Sequence, residues 1–380
     1  LNERGFTLGH FPDSFEFSTL GGWLATRSAG MQSDHRGNIE DMVVSLRMAT
    51  PAGDLETRPI PHSAAGPDFT RIAVGSEGIL GIITEATMRV YRTPPCEYRG
   101  VLMPSFEAGM ECMRRCHEAD VAPSTMRLSN ADETLLGSTL KPPSTGLEKL
   151  ITPVVKWYLR RFRGFDLNQS CVLILGWEGQ SKSTAARRSA AMKIARDLNG
   201  FDAGHAPGDA WFARKYDYPY LRDLLMHHGG LVDVAETSAL WSNAAATYRT
   251  ILDGLQQAVA RGTTPGYVGC HLSHSYPEGV CLYFTFAMAR DQDHPLDQYR
   301  SLKGLSMDLI QQEAAALTHH HAVGYEHLPW MDDYTGPVAT KILRDLKQGL
   351  DPDDICNPGK LLRDSSSALS HYWPADRDQR

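Results

Sequence analysis

The residues best suited to chemistry gather in two places. The first is a pair of alternating stretches, 266–274 and 280–288, joined by the turn Tyr276-Pro277-Glu278-Gly279. Side chains alternate faces along a strand. Gly269, His271 and Ser273 therefore share one face of the first strand, and Cys281, Tyr283 and Thr285 share one face of the second. Leu282, Phe284, Phe286 and Met288 share the opposite face. A polar face behind a greasy one fits a sheet that helices cover on one side and a ligand meets on the other. A buried tyrosine hydroxyl needs a partner and can also move a proton, so Tyr283 is either a structural residue or an acid–base group. The second place is His319-His320-His321, just before Val323-Gly324. Neighbours in a helix point about 100° apart, so a helical triplet does not readily ligate one metal, and no metal is expected. Imidazoles near their ordinary pKa can instead supply acid–base groups and anion contacts; the alternative is a solvated histidine run.

Two glycine-rich segments suggest an anion. Asp13-Ser14-Phe15-Glu16-Phe17-Ser18-Thr19-Leu20-Gly21-Gly22 sets hydroxyls before a glycine pair, and Gly75-Ser76-Glu77-Gly78-Ile79-Leu80-Gly81-Ile82-Ile83 follows later. Glycines let backbone N–H groups approach a ligand, and such groups with hydroxyls suit phosphate or pyrophosphate. Neither segment carries the Gly-Lys-Ser/Thr of a P-loop or a G-x-G-x-x-G after a strand. Plain turns between strands are the other reading.

The elements that would position these groups follow from periodicity. Residues 1–91 read as glycine-punctuated strands, with strands at 42–48 and 82–90, and Thr93-Pro94-Pro95 marks a domain boundary. Beyond it, strands at 101–103 and 171–175 precede helices near 106–118 and 183–199; Ala191, Ile194, Ala195 and Leu198 form the packing face of the second helix. Further helices span 244–261 and 296–316. Val338, Ile342, Leu346 and Leu350 mark one face of a last helix before Pro352. The fold class is α+β, an antiparallel sheet backed by helices.

Composition narrows the function classes. The 380 residues carry 38 Lys plus Arg against 45 Asp plus Glu, a formal net charge of −7, which leaves no basic excess to neutralise nucleic acid. A hydrophobic share of 42% argues against disorder, and no run of about 18 apolar residues could span a membrane as a helix. Seven cysteines without a C-x-x-C point to reduced, buried thiols in a cytosol-like compartment. Cys112 and Cys116 lie on one helix face, as core residues or as half of a zinc site without an obvious second pair. Leu147–Phe165 mixes Trp157, Tyr158 and Phe162 with Lys156, Arg160, Arg161 and Arg163. It reads as an interfacial segment meeting lipid headgroups or as an ordinary surface helix.

Pro12 through Gly30, Gly37-Asn38-Ile39-Glu40-Asp41 and Gly75–Ile83 resemble the second half of the FAD-binding domain of vanillyl-alcohol-oxidase-type flavoproteins. Glu16-Phe17-Ser18-Thr19-Leu20-Gly21-Gly22-Trp23, Gly75-Ser76-Glu77-Gly78-Ile79-Leu80-Gly81 and the histidine triplet fall in the order of the alkyldihydroxyacetonephosphate synthase family, to which the chain is most similar to about residue 362. Asn357-Pro358-Gly359-Lys360 is shared more widely among FAD-linked oxidases. The resemblance implies that 1–94 form the C-terminal half of an FAD-binding domain, 95–335 a substrate (cap) domain and 336–364 a helix and segment closing on the flavin domain, with a polar tail at 365–380. It implies that FAD is lined by Asp13, Ser14, Phe15, Glu16, Phe17, Ser18, Thr19, Thr26, Arg27, Ser28, Ala29, Glu77, Gly78, Ile79, Leu80, Gly81, Ile82 and Ile83. The family's pyrophosphate loop stands well before the position of Asp13, which twelve residues precede here. The expectation is thus an open flavin site with exposed apolar surface around 13–30 and 75–83.

By the same resemblance Tyr283 matches the catalytic tyrosine, His319, His320 and His321 the histidines important for activity, Arg127 an arginine needed for activity and Arg222 the substrate-phosphate residue. Guanidinium grips phosphate bidentately. His271 stands where the synthases carry an arginine. The implied reaction exchanges the acyl group of acyl-dihydroxyacetone phosphate for a fatty alcohol in ether-lipid synthesis, without net redox, through a flavin N5 adduct that splits one displacement into two. One alternative is an FAD-linked 2-hydroxyacid dehydrogenase, although Gly266–His274 lacks the Asp-Gly-Asn such relatives often carry. Another is an inactive partial chain unable to hold FAD. Implied partners are the two lipid substrates, or a 2-hydroxyacid in the alternative, a membrane surface at 147–165 and a second copy in a homodimer. The implied location is the cytoplasm, peripheral to a membrane, or the peroxisome of a eukaryote; Arg377-Asp378-Gln379-Arg380 is not a Ser-Lys-Leu signal.

Overall fold

Local capping shapes the front of the chain. Thr19 is extended, and its hydroxyl accepts the N–H of Gly22 at 3.1 Å, which starts the helix Leu20–Thr26. Arg27 ends that helix in the left-handed region at φ 52°. Asn38 and Asp41 form a capping box that opens the short helix Ile39–Met42. This corrects the reading of strands alone: Met42 closes a helix, and the strand begins at Val43 because the box holds the preceding turn. The computed structural model describes residues 1–139, 147–262, 266–363 and 373, so the tail at 365–380 lies outside the described residues except for Trp373.

The chain forms two compact units. The first comprises Leu1–Thr93, Glu236–Ser238 and Asp293–Arg380. Its three-stranded antiparallel sheet has Val43–Thr50 in the centre, Gly53–Glu56 on one side and Ile82–Met88 on the other. Leu24, Ile39, Met42, Leu46, Met48, Ile79 and Leu80 form its core. Ile82 is 70% exposed, and Phe15, Phe17 and Leu20 are also exposed. Later come the helices Pro295–Gln312 and Met331–Leu350. The expected apolar seam of the last helix is corrected: Val338 and Ile342 are 72% and 57% exposed. Gly336, at φ 75°, breaks the helix before Pro337, and the buried side instead carries Thr340 and Lys347. Lys347 is tied to Asp351 at 2.5 Å and to Asp354 at 2.8 Å.

The second unit comprises Pro94–Ala235 and Ala239–Gln292. The seven-stranded sheet of the chain, six of whose strands lie wholly in this unit, runs in the order Gly230–Leu240, Gly279–Ala289, Gly266–Ser275, Thr125–Ser129, Cys171–Glu178, Cys96–Met103 and Phe201–Asp202. The α+β class holds, with antiparallel pairing from Gly279–Ala289 across to Phe201–Asp202. In the hairpin, Gly269 opposes Thr285, His271 opposes Tyr283 and Ser273 opposes Cys281. Leu282, Phe284 and Phe286 are fully buried, and the helix Trp241–Ala260 packs against both hairpin strands. Ser105 caps the helix Phe106–Glu118, which buries Cys112 and Cys116 in the core.

Candidate functional site

The histidine triplet belongs to the first unit and lies in a loop after the helix Pro295–Gln312. Its backbone turns around one buried carboxylate. Glu236 accepts the N–H of His319 at 2.6 Å, of His320 at 3.1 Å and of His321 at 2.9 Å, and the Thr318 hydroxyl at 2.5 Å. The rings of His319 and His320 meet through their Nδ1 atoms at 2.9 Å. Burial alone would raise the Glu236 carboxyl, but the neighbouring imidazoles and the Thr318 hydrogen bond outweigh it and hold it well below the usual range. Burial pushes His319 below its ordinary value. These side chains can hold or release a proton beside a fixed negative charge. Glu236 escaped the sequence reading; its signal was an acid within the otherwise small and apolar run Val234-Ala235-Glu236-Thr237-Ser238.

The two glycine-rich segments of that unit come together. Gly75 and Glu77 donate their N–H groups to the carbonyls of Leu24 and Ala25, at 2.9 and 2.8 Å. Ser18 receives the indole N–H of Trp23 at 2.6 Å, Arg27 pairs with Glu40 at 3.0 Å, and Ser28 bonds the imidazole of His10 at 2.7 Å. Burial lowers His10 to about 4. Thr26 is tied to the carbonyl of Gly22, and Ala29, Ile79 and Leu80 are buried. Asp13, Ser14 and Glu16 lie on an exposed turn, Gly78 has φ 79°, and Ile83 follows the exposed Ile82. A Cβ on Gly81, at φ 153°, would collide with the carbonyl of Ala49. Glu77 uses its carboxylate differently, accepting the N–H of Val323 at 2.6 Å and of Gly324 at 2.9 Å. Burial raises the Glu77 carboxyl, partly offset by those two bonds and Lys360.

The second unit holds the other constellation. Tyr283 faces His271 across the hairpin, with ring centroids 4.7 Å apart. Arg127, on the adjoining strand, reaches His271 Nδ1 at 3.1 Å, Ser129 at 2.8 Å and Glu133 at 2.6 Å. His271 Nδ1 also stands 3.3 Å from Glu133. Arginine, imidazole and phenol therefore share one face of the sheet, and the Glu133 carboxylate reaches it from the helix Ala131–Thr139; together they can meet an anion and transfer a proton. Arg222 is not part of this cluster's bonds. It lies on the helix Tyr218–His227, its side chain 57% exposed, with Asp223 at 3.7 Å. Glu133 was missed in the sequence, where it follows the strand in Asn130-Ala131-Asp132-Glu133 without a periodic mark.

Residues 96–361 match the family described as FAD linked oxidases, C-terminal domain, and residues 1–57 match the FAD binding domain. The chain belongs to the FAD-linked oxidase family. It is similar to the alkyldihydroxyacetonephosphate synthase of Dictyostelium discoideum, 42% identical over 363 residues, which cover 95% of this chain and 59% of that protein. The synthase of Trypanosoma brucei brucei is 37% identical over 363 residues, again 95% of this chain and 59% of that protein. A solved alkyldihydroxyacetonephosphate synthase structure superposes with a TM-score of 0.76 at 39% identity, covering 94% of this chain and 62% of that one. The chain thus spans less than two thirds of the length of each of these relatives.

Proposed function

We propose that the full-length protein is an FAD-dependent alkyldihydroxyacetonephosphate synthase, which replaces the acyl group of acyl-dihydroxyacetone phosphate by a fatty alcohol. The observation that carries this reading is the single sheet face on which Arg127, His271, Glu133 and Tyr283 meet, in a chain that resembles those synthases at both glycine segments and at the triplet. In the reaction the carbon–oxygen bond to the fatty acid breaks, and the acid leaves with both carboxyl oxygens. A bond then forms to the alcohol oxygen, whose proton goes to a base.

The residues present fit a flavin. Ser76 Oγ and His10 Nδ1 are buried without hydrogen-bond partners beside the two segments, and exposed Phe15, Phe17, Leu20 and Ile82 offer apolar surface. Residues 1–94 would be the C-terminal half of the FAD-binding domain, 95–335 the substrate domain and 336–364 the closing segment. FAD held there would supply a nucleophilic ring nitrogen. Tyr283 moves the proton at the reacting carbon, Arg222 binds the substrate phosphate, Arg127 anchors the polar end of the cluster, and His319, His320 and His321 give acid–base support. Among the described residues no helix is long and apolar enough to cross a membrane. The helix Leu147–Phe162 would contact a bilayer peripherally, giving access to the aliphatic substrates.

The test is alkyl transfer by purified full-length protein from a labelled fatty alcohol onto acyl-dihydroxyacetone phosphate. Label in the ether product is the expected result. Anaerobic bleaching of the flavin by a D-2-hydroxyacid, without alkyl transfer, would overturn the reading in favour of a dehydrogenase.

A further inference from the structure

We propose that Glu236 and Glu77 are positioning residues that clamp the backbone of the histidine loop from its two ends, so that the imidazoles of His319, His320 and His321 are held in one arrangement. The proposal deepens the synthase reading, since it assigns the groups that aim the triplet used there.

Five backbone N–H groups of the loop Thr318–Gly324 go to two carboxylates. Its N–H groups at His319, His320 and His321 go to Glu236, and those at Val323 and Gly324 go to Glu77. Loops normally satisfy such groups with turns or water. A carboxylate withdrawn from water is costly unless hydrogen-bonded, and charge-assisted bonds from the same short loop serve both the buried Glu236 and the half-buried Glu77. Each clamp is itself fixed. Next to Glu236, the Thr237 hydroxyl donates to the Ala316 carbonyl at 2.5 Å, and the Ala316 N–H donates to the Ser238 carbonyl at 3.0 Å. Glu77 sits in the left-handed region at φ 48°. Its N–H is bonded to Ala25, and its carbonyl accepts the Asn357 amide. Between the clamps, Ala322 takes φ 66°, and its carbonyl meets His327 Nδ1 at 2.7 Å. With the backbone held at five N–H groups, each imidazole swings only about its own side-chain torsions. Catalytic groups displaced by about 1 Å can lose about 100-fold in rate, which gives a function to a clamp that touches no substrate.

The experiment uses Glu236→Gln and Glu77→Gln in the full-length holoenzyme, with residue-resolved hydrogen exchange over 316–326 and steady-state alkyl transfer. The expected result is selective. Exchange rises by about ten-fold at His319, His320 and His321 in the first variant and at Val323 and Gly324 in the second. In both, kcat falls with little change in KM. Thr318→Val, which removes one donor to Glu236, is read alongside and tests the same clamp if the first variant fails to fold. Unchanged exchange, or faster exchange with unchanged kcat, overturns the proposal. Wild-type protein that transfers no alkyl group overturns the synthase reading instead, and the exchange pattern alone then decides whether the clamp exists.

Discussion

The imidazole of His271 lies nearly flat on the ring of Tyr283, with centroids 4.7 Å apart and planes inclined by 18°. The two residues are direct cross-strand partners. His271 is held in turn by Arg127 at 3.1 Å and Glu133 at 3.3 Å. The orientation of the phenol is therefore set through an imidazole that an ion pair holds in place. A stacked pair of this kind contributes about 0.5–1.5 kcal/mol beyond its buried area.

Replacing Tyr283 by Phe keeps the stack and removes only the hydroxyl. Alkyl transfer should fall below about 1% of wild type, by analogy with the loss of an essential proton-transfer group. The midpoint of thermal unfolding should move by no more than about 2 °C, and the flavin absorbance of the full-length protein should be retained. Activity that survives the change removes Tyr283 from proton transfer.

Glu133 carries an acid-side signature. Burial would raise its carboxyl, but the charges of Arg127 and His271 and their hydrogen bonds draw it down to about 2 from 4.5. A folded value below the unfolded one stabilises the fold above about pH 4.5, and that contribution is lost as pH falls from 4.5 through about 2. Its full size is on the order of 3 kcal/mol. In Glu133→Gln, urea midpoints measured across that window should fall less steeply than in wild type. At neutral pH the variant should be destabilised by about 3 kcal/mol, because Arg127 loses its carboxylate. A slope equal to that of wild type would show that the pair does not govern acid stability.

Much of this arrangement is legible in the sequence for one physical reason: a strand alternates with period two. Gly269, His271, Ser273, Cys281, Tyr283 and Thr285 could be placed on one face before any coordinate, and the observed register sets them opposite one another in pairs. The hydroxyl and glycine pattern around Thr19, read as an anion cradle or a turn between strands, proves instead to cap the helix Leu20–Thr26. What stays hidden is long-range and aperiodic. The bond from Val323 to Glu77 joins residues 246 positions apart, and that from His319 to Glu236 spans 83. A carboxylate bonded to backbone N–H groups leaves no trace in the identity of the donors. The last helix misleads for a related reason, since Lys347 and Asp351 anchor it by charge and leave Val338 exposed.

Arg222 separates binding from stability. Its side chain is 57% exposed, and its ion pair with Asp223 is 3.7 Å long. Exposed pairs of this kind contribute little to folding. Arg222→Ala should therefore leave the thermal midpoint within about 1 °C of wild type. If the guanidinium grips the substrate phosphate, KM for acyl-dihydroxyacetone phosphate should rise by about 10- to 100-fold, the loss of one charge-assisted bidentate contact. Kinetics with phosphorylated and dephosphorylated substrate read this directly. An unchanged KM would move the phosphate site elsewhere.

The helix Leu147–Phe162 offers the sharpest test of membrane contact. Trp157 and Phe162 are 60% and 62% exposed, while Leu159 between them is buried. Their rings meet edge to face at 5.3 Å, so the apolar surface is a shared ridge rather than scattered residues. Lys156, Arg160 and Arg161 are exposed on the same helix. Arg163 is already engaged with Asn199 at 2.8 Å. Exposed aromatics beside unburied cations suit the boundary between headgroups and acyl chains, where each cation adds about 1 kcal/mol on an anionic surface. The full-length protein should co-sediment with phosphatidylserine-containing vesicles more than with phosphatidylcholine vesicles, and less as salt rises. Trp157→Ser with Phe162→Ser should weaken that partition by about ten-fold or more, and Arg160→Glu with Arg161→Glu should abolish the preference for anionic lipid. Folding should be unaffected, because both pairs point to solvent. Equal partition of wild type and variants would make this an ordinary surface helix, and the aliphatic substrates would then reach the protein by another route.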